Sequence, residues 1–234
     1  MKTILSFLLL ITLSINSVFS QDIITVGNTE LEVREVTSGL DVPWEMKWGP
    51  DGFLWITERD GLVSRINVDT GEKNVILDIT NQVWQSSEAG LLGMEIHPEF
   101  NNGSPYVFLV YTYLSSGQKE KVVYYEYDAN NDQLINETVL LGNIPANPTH
   151  SGSRLLILDD LTMLVTTGDV QDWMDSQNLD VLSGKTLRMS VDISGGTAGF
   201  IPSDNPIPNS YVWSWGHRNA QGLALATNGK IYSS

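Results

Sequence analysis

The chain of 234 residues contains no cysteine, so it has no disulfide and must rely on packing or a bound metal for stability. Basic residues are scarce, because 13 Lys and Arg stand against 28 Asp and Glu, which gives a formal charge of −15. Proteins that bind nucleic acids need a basic surface, so this balance argues against a nucleic-acid partner. An acidic surface most often serves solubility, and it is compatible with calcium and with neutral substrates.

Long apolar runs are also missing after the first twenty residues. Within residues 1–20, Lys2 is followed by a short apolar stretch at 4–13 and by Val-Phe-Ser at 18–20. This pattern is typical of a secretory signal peptide, whose apolar part is too short to span a bilayer. The sequence therefore predicts export to the periplasm or the medium, a mature chain that starts near Gln21, and no membrane span.

Apolar residues in the rest of the chain occur in short runs rather than at helical spacing. The runs lie at residues 53–56, 106–111, 122–125 and 163–165, and turn residues bound each of them. Such runs, separated by pairs such as Asn102-Gly103, are typical of strands joined by tight turns. The sequence predicts an all-β fold.

Four stretches share one plan, in which an apolar lead-in is followed by a polar turn and then by a strand. They lie at residues 47–58, 97–113, 156–169 and 223–234. Their spacing is near, or somewhat above, the ~40–50 residues of a propeller blade, and this repetition favours a β-propeller over a sandwich. Because closed propellers leave no exposed sheet edge, a chain of about four blades is expected to be an incomplete portion of a larger propeller.

Seven motifs carry a resemblance to a known family. In chain order from Gly39 they are GLDVPWEMKWGPDGFLWITERDG, EAGLLGMEIHPEF, HSGSRL, TTGD, SGKTLRMSVD, IPSDNPI and WGHRNAQGLALATNGKIY. In this order they resemble the soluble glucose/sorbosone dehydrogenase family. The resemblance implies a six-bladed β-propeller that binds pyrroloquinoline quinone (PQQ) and calcium, oxidises the C1 hydroxyl of an aldose to a lactone, and passes electrons to a further acceptor. Residues 39–234 would form part of this propeller, and 21–38 a lead-in strand.

The resemblance assigns roles to three residues, and the expected pairing of two strands assigns a role to a fourth. His150 in HSGSRL matches the family's general base, and an imidazole suits this role because its ordinary pKa is about 6.5. Asp169 is expected to orient that imidazole, provided that residues 154–158 and 163–167 pair as neighbouring strands. Arg218 and Asn219 in GHRN match residues that contact the quinone, and an arginine beside the quinone oxygen stabilises the charge that develops there.

Three of these assignments have a structural alternative. A histidine before a turn often only packs, an aspartate at a sheet edge often only binds backbone N–H groups, and Arg218 could bridge two blades through a carboxylate. His97 and His217 are expected to be structural. The enzymatic interpretation requires that His150 and Arg218 approach each other from separate sheets at one central opening.

Two positions depart from the family's pattern. Glu88 lies two residues before GLLG, close to the expected cofactor and sugar, where glucose-oxidising members commonly carry glutamine. A carboxylate there would repel an anionic quinone unless it is paired or protonated. Thr149 precedes His150, where those members can carry an acidic residue. The substrate preference of those members is therefore not transferred to this chain.

Part of the site is expected beyond this chain. In the family, the calcium ligands and the basic residues that hold the quinone carboxylates follow the position that corresponds to residue 234, so this chain alone is expected to be inactive. Two other functions stay open. One is a metal-dependent lactonase on another six-bladed propeller, and the other is a non-catalytic propeller that serves as a binding module.

Overall fold

The computed structural model describes residues 22–234, which form β-strands and two short 3₁₀ helices at Phe100–Asn102 and Asp175–Gln177. The predicted all-β class is confirmed. The signal peptide predicted for residues 1–20 lies outside the described residues. Within the part that is described, no helix combines the length and the apolar character needed to cross a membrane.

The strands form three four-stranded antiparallel sheets and two hairpins. Sheet 1 contains β3 (Pro43–Trp48), β4 (Leu54–Glu58), β5 (Leu62–Ile66) and β6 (Lys73–Asp78). Sheet 2 contains β7 (Leu91–Ile96), β8 (Tyr106–Leu114), β9 (Gln118–Asp128) and β10 (Gln133–Pro145). Sheet 3 contains β11 (Gly152–Ile157), β12 (Thr162–Thr167), β13 (Lys185–Ser190) and β14 (Val212–Trp215). The hairpins are β1 (Asp22–Val26) with β2 (Thr29–Val33) and β15 (Leu223–Leu225) with β16 (Ile231–Ser233).

The sheets are arranged as successive blades of a propeller. In each sheet, strands that follow one another in the chain are hydrogen-bonded neighbours. The first strands of successive sheets contact one another, β3 with β7, β7 with β11 and β11 with β15. Each of the four repeated stretches overlaps the first hairpin of its unit, and the stretch at 97–113 begins only after β7 has ended. The described residues therefore form three blades and the first hairpin of a fourth, which confirms the predicted partial propeller.

The segment before sheet 1 differs from the single lead-in strand that was expected there. It is the hairpin β1–β2, which turns at Gly27-Asn28 with Gly27 at φ 63°. Glycine adopts this left-handed conformation without steric cost, and Gly-Asn is a pair that suits a two-residue turn. The strands are short and exposed, so no buried face marked them in the sequence.

Strand β8 is buried on both faces and forms the centre of the core. Val107, Leu109 and Tyr111 pack in the cluster between sheets 1 and 2, together with the fully buried Trp55. The alternate residue Phe108 packs with others in the cluster between sheets 2 and 3. Because side chains alternate along a strand, a strand between two sheets must be apolar at every position. Each such side chain contributes about 1.5–3 kcal/mol of burial free energy.

Candidate active site

The predicted site residues lie at one end of sheets 2 and 3. In an antiparallel sheet, the first strand begins at the end where the second and fourth strands finish. His150 precedes β11, Asp169 follows β12, and Arg218 and Asn219 follow β14. Glu88 precedes β7, which contacts β11. His150 and Arg218 do not come from separate sheets as predicted, because both flank sheet 3. They nevertheless lie at the same end of that sheet, which is the part of the prediction that a shared site needs.

His150 and Asp169 form a hydrogen-bonded pair, with 2.7 Å between His150 Nδ1 and Asp169 Oδ1. The hairpin pairing predicted for this segment is confirmed, since Gly152 lies opposite Thr167 and so brings the two side chains together. An ionised carboxylate can only accept, so Nδ1 carries the hydrogen and Nε2 of the neutral ring is left unprotonated. Asp169 Oδ1 also accepts from the backbone N–H of Gln171 at 3.0 Å. The pair thus presents Nε2 as a proton acceptor.

The backbone at residues 150–153 has an unusual conformation. His150, Gly152 and Ser153 have φ values of 60°, 70° and 68°. A residue other than glycine in this left-handed region costs on the order of 1–3 kcal/mol, so the surrounding structure must hold the turn. The Glu88 carboxylate accepts from His150 N at 3.0 Å, and Asn219 Oδ1 accepts from Gly152 N at 3.0 Å.

Gly168 lies directly against this turn. A Cβ atom at Gly168 would lie 1.7 Å from the carbonyl oxygen of His150, so no other residue fits there without moving the turn. This close approach explains the glycine in TTGD. It also sets the distance between the two chain segments that carry His150 and Asp169.

Glu88 is turned towards N–H donors of the protein. Its Oε2 accepts from His150 N and from Asn219 Nδ2, the latter at 3.1 Å. The carboxylate that the sequence left without a partner is therefore hydrogen-bonded to two neutral donors. Glu88 and Asn219 both join the neighbouring segments to the His150 turn.

Arg218 joins the cluster through its backbone. Its carbonyl oxygen accepts from Asp169 N at 2.7 Å, and its side chain is exposed. The His150 side chain is 12% exposed, so it lies at the edge of the protein interior rather than deep within it. The structure therefore brings Glu88, His150, Asp169 and Asn219 into one hydrogen-bonded cluster, with the exposed residue Arg218 beside it.

The other two histidines have structural environments. The His97 ring is buried and stacks on Phe108, and its Nδ1 accepts from Glu99 N at 3.1 Å. His217 Nε2 lies 2.7 Å from Ser214 Oγ. Burial is the main cause that lowers the pKa of both imidazoles. These contacts agree with the structural role expected for both.

Lys185 is a residue near the site that the sequence did not single out. Its side chain is fully buried, and Nζ donates to the carbonyl oxygens of Asp175 at 2.8 Å, Ser176 at 3.2 Å and Ser183. Burial lowers the pKa of this ammonium group. The preceding residue, Gly184, donates its N–H to the Gly168 carbonyl at 2.7 Å. Lys185 thus fixes the loop that connects β12 to β13 beside the site.

Replacing Lys185 with methionine is expected to lower the free energy of unfolding by about 1–3 kcal/mol, because buried carbonyl groups lose their donor. Urea denaturation followed by tryptophan fluorescence would measure this loss. The exposed Lys230→Met is the matched control and is expected to change stability little. Equal effects of the two variants would show that the carbonyl contacts of Lys185 do not stabilise the loop.

Residues 40–234 match the family model described as glucose/sorbosone dehydrogenase. The chain belongs to this family. Curated relatives of this chain include quinoprotein glucose dehydrogenase B of Acinetobacter calcoaceticus. It is 30% identical over 232 residues, which cover 86% of this chain and 47% of the relative. The aldose sugar dehydrogenase YliI of Escherichia coli strain K12 is 27% identical over 206 residues, which cover 83% and 53% of the two chains.

A solved structure of the same family has a similar fold. It is the PQQ-bound aldose sugar dehydrogenase of Streptomyces coelicolor, with a TM-score of 0.77 and 31% identity, covering 86% of this chain and 58% of that one. The chain spans about half the length of the curated relatives described above.

Proposed function

We propose that the whole protein is a quinoprotein sugar dehydrogenase, which oxidises the C1 hydroxyl of an aldose to a lactone by His-assisted hydride transfer to PQQ. The observation that carries this proposal is the 2.7 Å contact between His150 and Asp169 at one end of the blades. Relatives named as glucose and aldose sugar dehydrogenases, one of them solved with PQQ bound, support it.

In this proposal His150 is the general base. Its Nε2 takes the proton of the C1 hydroxyl while the C1 hydrogen leaves with its electron pair, and the C1–O bond becomes a carbonyl. The carboxylate of Asp169 holds the ring and stabilises the imidazolium that forms. A positioned base of this kind contributes about 10²–10⁴ to the rate. When bound, PQQ supplies the two-electron acceptor for the hydride.

The residues at the site fit a quinone that carries carboxylates. The exposed guanidinium of Arg218 offers a permanent positive charge and a planar set of donors. The carboxylate of Glu88, which would repel such a cofactor, accepts two N–H groups of the protein. Asn219 uses both ends of its amide in the cluster and keeps one Nδ2 hydrogen for a ligand. We propose Arg218 and Asn219 as the cofactor contacts, with Glu88 beside them.

Three further parts of the proposal concern the whole protein. Calcium binds to ligands outside this chain; within residues 22–234, no group of three or more His, Asp or Glu side chains is arranged to hold a metal ion. The protein is exported to the periplasm or the medium. A separate acceptor receives the electrons after each turnover.

The test is a dye-reduction assay on the full-length protein, supplied with PQQ and calcium and offered a panel of aldoses. The expected result is dye reduction that requires PQQ and varies with the sugar. Hydrolysis of sugar lactones without PQQ and without a dye signal would instead identify a lactonase. Neither activity, together with retained sugar binding, would identify a binding module.

A further inference from the structure

Glu120 is a fully buried acid at the interface between sheets 2 and 3. It lies in β9, and its Oε1 accepts a hydrogen bond from Ser153 Oγ at 2.9 Å. Its Oε2 is buried, and no described residue donates to it. A carboxyl group is costly to bury at such a position, where an apolar side chain would pack without penalty. The hydrogen bond with Ser153 is therefore the contact that accounts for an acid at this buried position.

The surroundings of Glu120 keep it uncharged at neutral pH. Its strand neighbours are Thr112 of β8 and Ile144 of β10, and Ser153 faces it from β11. The flanking Lys121 alternates to the other face of β9, where it pairs with Glu137 at 2.6 Å. Burial raises the pKa of Glu120 to about 8, and the bond from Ser153 opposes this only in part.

The variant Glu120→Gln is expected to change how stability depends on pH. The pKa of Glu120 in the folded protein is raised above the ordinary value, so its contribution to stability is full below about pH 4 and decreases as the pH rises towards 8. Glutamine is neutral in both states. The melting temperature of the variant relative to the original protein should therefore rise between pH 5 and pH 8 and level off above it. A constant difference across this range would contradict a protonated Glu120.

Ser153 connects Glu120 to the site. It belongs to the left-handed turn that begins at His150, and its own φ is 68°. Its hydroxyl group lies between Glu120 Oε1 and the carbonyl oxygen of Ser151, which is 3.3 Å away. Glu88 and Asn219 hold the first part of this turn through backbone N–H groups. Glu120 holds Ser153, the last residue of the turn, through a hydrogen bond between the two side chains.

We propose that Glu120 is a positioning residue for His150: by binding the Ser153 hydroxyl, its carboxyl group fixes the turn at 150–153 and with it the His150–Asp169 pair. Its effect on turnover rests on the proposed function, whereas its effect on the geometry of His150 does not. Without this bond, the left-handed backbone at Ser153 is held only by the contacts of the first part of the turn. The imidazole then loses its fixed orientation. A displacement of about 1 Å at a reacting group can cost about 10²-fold in rate.

The experiment observes His150 by NMR in the ¹⁵N-labelled protein, without cofactor. The variants are Glu120→Gln, which keeps a neutral acceptor, Glu120→Leu, which removes it, and Ser153→Ala, which removes only the donor. We expect the Nδ1–H resonance and the ring ¹⁵N shifts of His150 to persist in Glu120→Gln. In Glu120→Leu and Ser153→Ala the Nδ1–H resonance should broaden or disappear. In the full-length enzyme these two variants should lower kcat by about 10–100-fold, with KM little changed.

Two results would overturn the proposal. One is Glu120→Leu with a lower melting temperature but unchanged His150 resonances, since Glu120 would then only pack. The other is Ser153→Ala with unchanged resonances, since the effect has to pass through that hydroxyl. If the original full-length protein shows no PQQ-dependent dye reduction, the proposed function fails, and the NMR comparison still decides whether Glu120 positions His150.

Discussion

Replacing His150 with glutamine in the full-length protein is expected to lower kcat/KM for the preferred aldose by about 10²–10⁴, or ~3–5 kcal/mol of barrier. Glutamine can still donate to Asp169, but it cannot take a proton from the sugar hydroxyl. The C1 hydroxyl then has to lose its proton to water while the hydride departs. Dye reduction at saturating PQQ and calcium, over a range of aldose concentrations, measures the loss.

His97→Gln is the matched control for this variant. His97 follows β7, whereas Glu88 of the site precedes it, so the two lie at opposite ends of that strand. The control is expected to keep its activity even if it loses some stability. Equal losses in His97→Gln and His150→Gln would point to unfolding rather than to chemistry. Retention of most activity in a folded His150→Gln protein would show that His150 is not the base.

Replacing Arg154 with methionine is expected to lower the free energy of unfolding by about 3–5 kcal/mol, because it leaves a buried carboxylate without its partner. Arg154 lies in β11, and its guanidinium pairs with Glu45 of β3, whose side chain is only 6% exposed. Its Nε donates to the Gln221 carbonyl at 2.7 Å, and its guanidinium lies 4.3 Å from the Trp44 ring centroid. One side chain thus connects sheets 1 and 3 and the segment before β15. Chemical denaturation monitored by circular dichroism measures the loss.

Arg188→Met is the control for charge and size. Its partners Asp160 and Asp204 are 51% and 71% exposed, so its removal leaves no buried charge, and the expected loss is about 1 kcal/mol. Adding Glu45→Gln to Arg154→Met should recover part of the lost stability. Equal losses of unfolding free energy in the two arginine variants would show that the buried pair with Glu45 does not stabilise the contact between sheets 1 and 3.

The sequence was sufficient to predict the blades and the main pair of the site. Alternating strands and turn residues are local signals, and an antiparallel hairpin necessarily brings His150 close to Asp169 once its register is known. The placement of Arg218 depends on how distant segments pack, and the local sequence does not show it. A long irregular connection at residues 191–211 separates β13 from β14, so the sequence did not show that Arg218 closes the same sheet that His150 opens.

Two buried ionisable residues escaped prediction for a different reason. Lys185 and Glu120 occupy positions of β-strands that face the interior, where charged residue types are rare. Their partners are backbone carbonyls for Lys185 and a serine hydroxyl for Glu120, none of which has a sequence signature. Only the packing of separate segments shows which partners these groups have, and that they lie beside the site.

The turn at His150 is held by Glu88 and Glu120 from sheet 2 and by Asn219 from the segment that follows sheet 3. A chain in which these two blades have formed but not yet docked therefore has no oriented imidazole. In the proposed mechanism, proton transfer by His150 therefore requires that the interface between sheets 2 and 3 has closed. The His150 ring resonances would then report docking itself, and core substitutions at that interface should alter them even when they lie far from any ligand.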